Sequence, residues 1–94
     1  MNNVKRMLDL YGGERVWFYL KDNKTKADFL NDLIDLNATW FDGESLKADH
    51  VLSCYIAVHD DLKIGFITNL CWKMSFVTNK EIVHIDFETF RQIK

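Results

Sequence analysis

The chain has 94 residues, a formal net charge of −2, and hydrophobic and aromatic fractions of 48% and 14%; that composition excludes an intrinsically disordered chain and leaves room for one domain, residues 1–94. Its longest stretch free of Asp, Glu, Lys, Arg and His, Ile64 to Trp72, is nine residues and contains Thr68 and Asn69, far short of the roughly 20 apolar residues that a membrane-spanning helix needs. Lys5 and Arg6 are followed by Met7, Leu8 and then Asp9, which interrupts the apolar run of an export signal, so the expected location is the cytoplasm.

In chain order, Val4, Met7, Leu8 and Tyr11 fall at helical spacing, and Gly12-Gly13 supplies a stop. Arg15 to Leu20 is aromatic and β-branched with apolar character on both faces, which predicts a central strand. Thr25 can cap the next helix, with Asp28 in the capping-box place, over residues 25–36. Phe29, Leu30, Leu33, Ile34 and Leu36 form its buried face, and Asn37 follows where an exit residue adopts the left-handed conformation. Trp40-Phe41-Asp42-Gly43 joins an aromatic pair to a turn, and Glu44 to His50 is a polar loop. Val51 to Val58 and Lys63 to Asn69 are strand-like, with a tight turn at His59-Asp60-Asp61-Leu62. A hairpin centred there pairs residues whose numbers sum to about 121, which sets Cys54 opposite residue 67 rather than Cys71. Ile82 to Asp86 makes a last strand, and Asp86 can cap a closing helical turn with Phe87 and Phe90. The expected fold class is α+β: one amphipathic helix packed on a four- to five-stranded, mostly antiparallel sheet, with short N- and C-terminal helical segments.

Chemistry-bearing residues are scattered. His50, His59 and His84 lack ligand spacing, so no metal or cofactor is expected. Ser45, Ser53 and Ser75 stand outside a nucleophile elbow, and Cys54 and Cys71 have no neighbour that lowers a thiol pKa, so no catalytic residue is assigned. Both cysteines are expected reduced and buried. Core packing is the default for the three tryptophans, with Trp72 the exception because its surroundings show no clean alternation.

Charge is uneven. Residues 27–62 carry eight acidic groups and only Lys47, whereas the flanking segments are net basic. Asp28, Asp32 and Asp35 share the outer face of the main helix, and Asp42, Glu44 and Asp49 continue in the loop after it. Such a band steers a basic partner toward it.

The aromatic strand, the helix with Phe29-Leu30 and Leu33-Ile34, Trp40-x-x-Gly43, the hairpin and the closing Ile82-Val83-x-Ile85-Asp86-Phe87-Glu88-x-Phe90 together resemble small accessory proteins encoded by tailed bacteriophages and prophages. A Gly often ends the helix in such proteins; here it is Asn37. The resemblance implies a phage gene product that binds a host protein or a signalling molecule to blunt antiviral defence. The leading expectation is a non-enzymatic, anti-CRISPR-like inhibitor in the host cytoplasm, with the six carboxylates on a basic, nucleic-acid-binding surface of a host defence protein. Neither nucleic acid nor membrane is then contacted directly, and a homo-oligomer is compatible with the reading. The alternative is a binder that sequesters a nucleotide signal, with Lys and Arg from the chain ends on the phosphates and Trp40 or Trp72 as a stacking wall.

Overall fold

The computed structural model describes residues 2–11, 15–47, 52–59, 61–78 and 81–92. Its elements are α1 (Asn3–Leu10), β1 (Arg15–Tyr19), α2 (Asn23–Asp35), β2 (Thr39–Trp40), β3 (Tyr55–Val58), β4 (Lys63–Phe66), α3 (Asn69–Thr78), β5 (Ile82–Asp86) and α4 (Phe87–Arg91). Among the described residues the fold is α+β, with five strands in the order β2-β4-β3-β1-β5.

The sheet is mixed, which corrects the expectation of a mostly antiparallel one. β3 is antiparallel to β1 and to β4, whereas β5 is parallel to β1 and β2 is parallel to β4. Only β3 therefore runs against the other four. The cause lies in two long crossovers. The connection from β1 to β2 passes through α2, and that from β4 to β5 passes through α3. They travel in opposite directions along the sheet, so a common crossover hand puts their helices on opposite faces. Strand alternation agrees: Val16 and Phe18 of β1 are buried on the α2 side, while Trp17 and Tyr19 are half-buried on the α3 side. The doubly apolar character of β1 thus reflects a strand with a neighbour on each edge and a helix layer on each face.

On the α2 side, Phe18, Phe29 and Phe87 meet with ring centroids 4.9, 5.0 and 6.2 Å apart, and all three are fully buried. Leu30 and Leu33 extend this face, and Ile34 packs at its margin. A single helix does not cover the sheet, however: Val4 and Met7 of α1 are fully buried in the same core. α1 is pinned by Asn2, whose Oδ1 accepts from the Lys5 N–H at 2.9 Å and whose Nδ2 donates to the Asp32 carbonyl at 2.8 Å. Gly12 and Gly13, the expected helix stop, lie outside the described residues.

α2 begins earlier than expected. Its cap is Asp22, whose Oδ1 accepts from the Thr25 N–H at 2.8 Å; hydrogen bonding from the Thr25 hydroxyl, and then from that N–H, holds the Asp22 pKa below the usual carboxylate value. Thr25 itself is buried, with its hydroxyl 3.3 Å from Glu88 Oε2 on α4. The exit is as the sequence suggests. Asn37 has φ 58°, its N–H donates to the Ile34 carbonyl at 3.0 Å, and the Ala38 N–H donates to the Leu33 carbonyl at 3.0 Å. These are the two bonds of a Schellman ending, which asks for a left-handed residue and accepts Asn.

The two central strands are shorter than their apolar runs. Ile56 pairs with Phe66 and Val58 with Ile64, one residue along from the expected register, because Leu62 takes φ 64° while its N–H donates to the His59 carbonyl at 2.9 Å. Residues 69–78, for which the sequence predicts no regular element beyond the strand-like run ending at Asn69, form α3. Asp86 caps α4 as expected, accepting from the Thr89 N–H at 3.2 Å. Both cysteines are free thiols; Cys54 is half-buried, and Cys71, expected inside, is exposed on α3.

Candidate functional site

The acidic positions divide by what the fold asks of them. Asp28 accepts from the Arg91 guanidinium at 2.7 Å, with Lys24 at 3.9 Å. Arg91 also pairs with Glu88 and lies over the Phe87 ring at 5.4 Å, so Asp28 helps to clamp α4 onto α2. Asp32 accepts from the Asn3 N–H at 3.2 Å. Burial pushes its pKa up and outweighs the hydrogen bonds it receives from the amides of Val4 and Asn3, while Asp35 and Asp28 add like-charge repulsion. Asp35 is exposed at the end of α2. Asp49 lies outside the described residues.

Asp42 and Glu44 have a different setting. The chain turns sharply after β2: the Gly43 N–H donates to the Trp40 carbonyl at 2.8 Å, the Trp40 N–H donates to the Glu44 carbonyl at 2.8 Å, and Gly43 takes φ 91°. Asp42 Oδ1 accepts from the Glu44 N–H at 3.0 Å, which closes the loop. This tight loop stops β2 after two residues and sets Asp42 and Glu44 beside β4. They rim a groove of about 400 Å³ floored by Ile64 and Gly65 and walled by Trp40, Phe41 and Phe66. Trp40 and Phe66 pack with centroids 5.0 Å apart. Phe41 and Phe66 are 67% and 60% exposed, a large apolar surface at a sheet edge for a chain this small. Among the described residues that line the groove there is no Lys or Arg.

Phe66 gave no sign of membership from the sequence, because it lies 26 positions from Trp40. The parallel pairing of Trp40 with Ile64 brings them together.

A second constellation lies on the opposite face, under α3. Ser75 is buried, and its Oγ stands 2.6 Å from His84 Nε2 and 2.7 Å from the Trp72 carbonyl. Phe76 stacks on the His84 ring at 3.9 Å, and Trp72 meets that ring edge-on at 4.8 Å. A serine hydroxyl on an imidazole nitrogen is the distance a nucleophile and its base adopt. Here Ser75 is 4% exposed beneath two aromatic rings, and its hydroxyl fastens the helix to β5. The His84 pKa is depressed by burial, against a raising hydrogen bond to the Ile82 backbone.

Between that depressed folded value and about 6.5 the unfolded chain binds more protons than the native one, so stability rises with pH across that window. Lowering the pH from 7.5 to 5.5 should therefore lower Tm. His84→Gln should flatten this part of the profile, read by thermal melts at several pH values. A wild-type-like slope in that variant would assign the dependence to another group.

The outer face of α3 is apolar as well: Leu70, Met74 and Val77, at i, i+4, i+7, are 66%, 52% and 78% exposed. Among the described residues no helix is long and apolar enough to cross a membrane. No family model, no curated protein and no solved structure matches the chain.

Proposed function

We propose that this protein is a non-enzymatic binding protein that docks its Trp40–Phe66 groove onto a basic surface of a partner protein. The observation that carries the reading is the placement of Asp42 and Glu44 on the rim of a groove walled by two exposed phenylalanines. Interfaces of this kind join aromatic anchors at the centre to charged groups at the rim, the anchors supplying affinity and the charges supplying orientation and on-rate. Of the six carboxylates, Asp28 and Asp32 work inside the fold, so the contact centres on Asp42 and Glu44, with Asp35 at most peripheral. In the biological setting we propose, the partner is a nucleic-acid-binding host defence protein, and the carboxylates of a phage accessory protein take the place of phosphates on it. Sequestering a nucleotide signal is less well supported, because phosphates call for Lys or Arg and the groove's described lining offers carboxylates instead.

The test uses the double substitution Asp42→Asn with Glu44→Gln; Asn keeps the oxygen that accepts from the amide of residue 44. With the partner captured from a bacterial host lysate, identified by mass spectrometry and purified, the variant should melt like wild type. It should bind at least about tenfold more weakly, a loss of about 1.4 kcal/mol, with a shallower dependence on salt. Asp35→Asn should change affinity less than about twofold on the same scale. The reverse ranking would place the contact on α2 and overturn the groove assignment.

A further inference from the structure

The face of the sheet under α3 holds a second cleft, separate from the groove at β2 and β4. Tyr55, Tyr19 and Asp86 stand in one row across β3, β1 and β5, since Tyr19 pairs in register with Tyr55 on one side and with Asp86 on the other. Trp72 of α3 roofs this row, with its ring 4.9 Å from Tyr55 and 6.4 Å from Tyr19. Phe76 and His84 close the inner end. The cleft is open to solvent and has a volume of about 340 Å³, within the range of small-molecule sites.

We propose that this cleft binds a small organic ammonium cation, of the methylated or quaternary kind. The ring planes are tilted 36° for Tyr55 on Trp72, 44° for Tyr19 on Trp72 and 80° for Phe76 on Trp72, and Phe76 stacks on His84; the rings touch one another, so a cation would meet the outward faces along the cleft and not a gap between rings. A quaternary ammonium gains from such faces because its charge is spread over methyl groups that lose little hydration on entry. The Asp86 carboxylate at the mouth supplies the counter-charge; its Oδ1 caps α4, and the residue as a whole stays exposed. Among the described lining residues there is neither Lys nor Arg. The same composition disfavours anions and gives a neutral aromatic ligand no reason to prefer the Asp86 end.

Choline and tetramethylammonium are the probes, titrated into the full chain by calorimetry and by NMR of the His84 and tyrosine ring signals. Choline should saturate with a Kd of about 1 mM or tighter. 3,3-Dimethylbutan-1-ol, which has the shape of choline without its charge, should bind at least about tenfold more weakly. Asp86→Asn retains a good helix cap and should weaken choline at least about threefold with Tm unchanged. Trp72→Leu should abolish saturation. Failure of choline to saturate by about 50 mM, equal binding of the neutral isostere, or shifts confined to signals outside the cleft would each overturn the proposal. An unaltered choline affinity in Asp86→Asn would do so too, whatever happens to Trp72→Leu.

Discussion

Phe29→Ala is expected to lower the unfolding free energy by about 3–5 kcal/mol, near the top of the range for a single core truncation. The reason is geometric. Phe29 comes from α2, Phe18 from β1 and Phe87 from α4, and each of the three rings touches the other two within 6.2 Å. Removing the middle ring leaves a void bordered by two rigid rings on different elements, and neither can move into it without leaving the sheet or α4. The edge-to-face attraction between Phe29 and Phe87 disappears as well, which adds a further increment to the transfer and cavity costs. Urea unfolding of wild type and variant, with m-values compared, measures the loss. A loss below about 1 kcal/mol would mean that the three-ring cluster collapses easily and is not the centre of the core.

Met7→Ala is expected to cost about 2–5 kcal/mol, although its helix is short and lies at the start of the chain. Met7 is fully buried with Val4 against α2, and α1 is held in place by hydrogen bonds that reach Asp32, from the Asn2 side chain to its carbonyl and from the amides of Asn3 and Val4 to its carboxylate. An ornamental N-terminal helix would lose only a few tenths on such a change. Chemical denaturation together with helix content by circular dichroism separates the outcomes. A fall in midpoint with a single cooperative transition is expected. Loss of α1 alone in a separate early step would show that the helix folds as an appendage.

How far these elements could be read from sequence depended on whether the signal was local. Leu30, Leu33 and Asn37 announced α2 and its exit, because a helical stripe and a left-handed cap are written within a dozen residues. β1 announced an interior place, paired on both edges, through its apolar run, and Asp86 announced α4. The sequence misplaces the start of α2 at Thr25: Asp22 is the cap, and Thr25 is buried with its hydroxyl toward Glu88 of α4, a long-range fact. α3 was invisible for a different reason. Leu70, Met74 and Val77 keep a helical spacing, but Trp72 and Phe76 put large apolar groups on the opposite side as well, so no single apolar face stands out and the period does not decide the element. Strand direction was lost with it, since the parallel pairing of β5 with β1 depends on the crossover that α3 provides. Of the candidate site, Asp42 and Glu44 were legible from charge and turn chemistry. Phe66, Tyr19, Tyr55 and Asp86 acquire their roles through strand register, which no single segment contains.

The position of β5 also governs when the molecule can assemble. β1 is completed on one edge by β3, about 40 residues downstream, and on the other by β5, nearly 70 downstream. Most of the sheet's pairing therefore requires closure of long loops, and such topologies fold more slowly than bundles of local contacts. During synthesis, a chain that has emerged only as far as β4 would display the apolar edge of Val16 and Phe18 without its last strand or the Phe87 ring, a surface open to pairing with other chains. Folding is thus expected to complete only after residues 82–91 have emerged, and nascent chains arrested before Ile82 should aggregate or recruit chaperones where those arrested beyond the end of α4 do not.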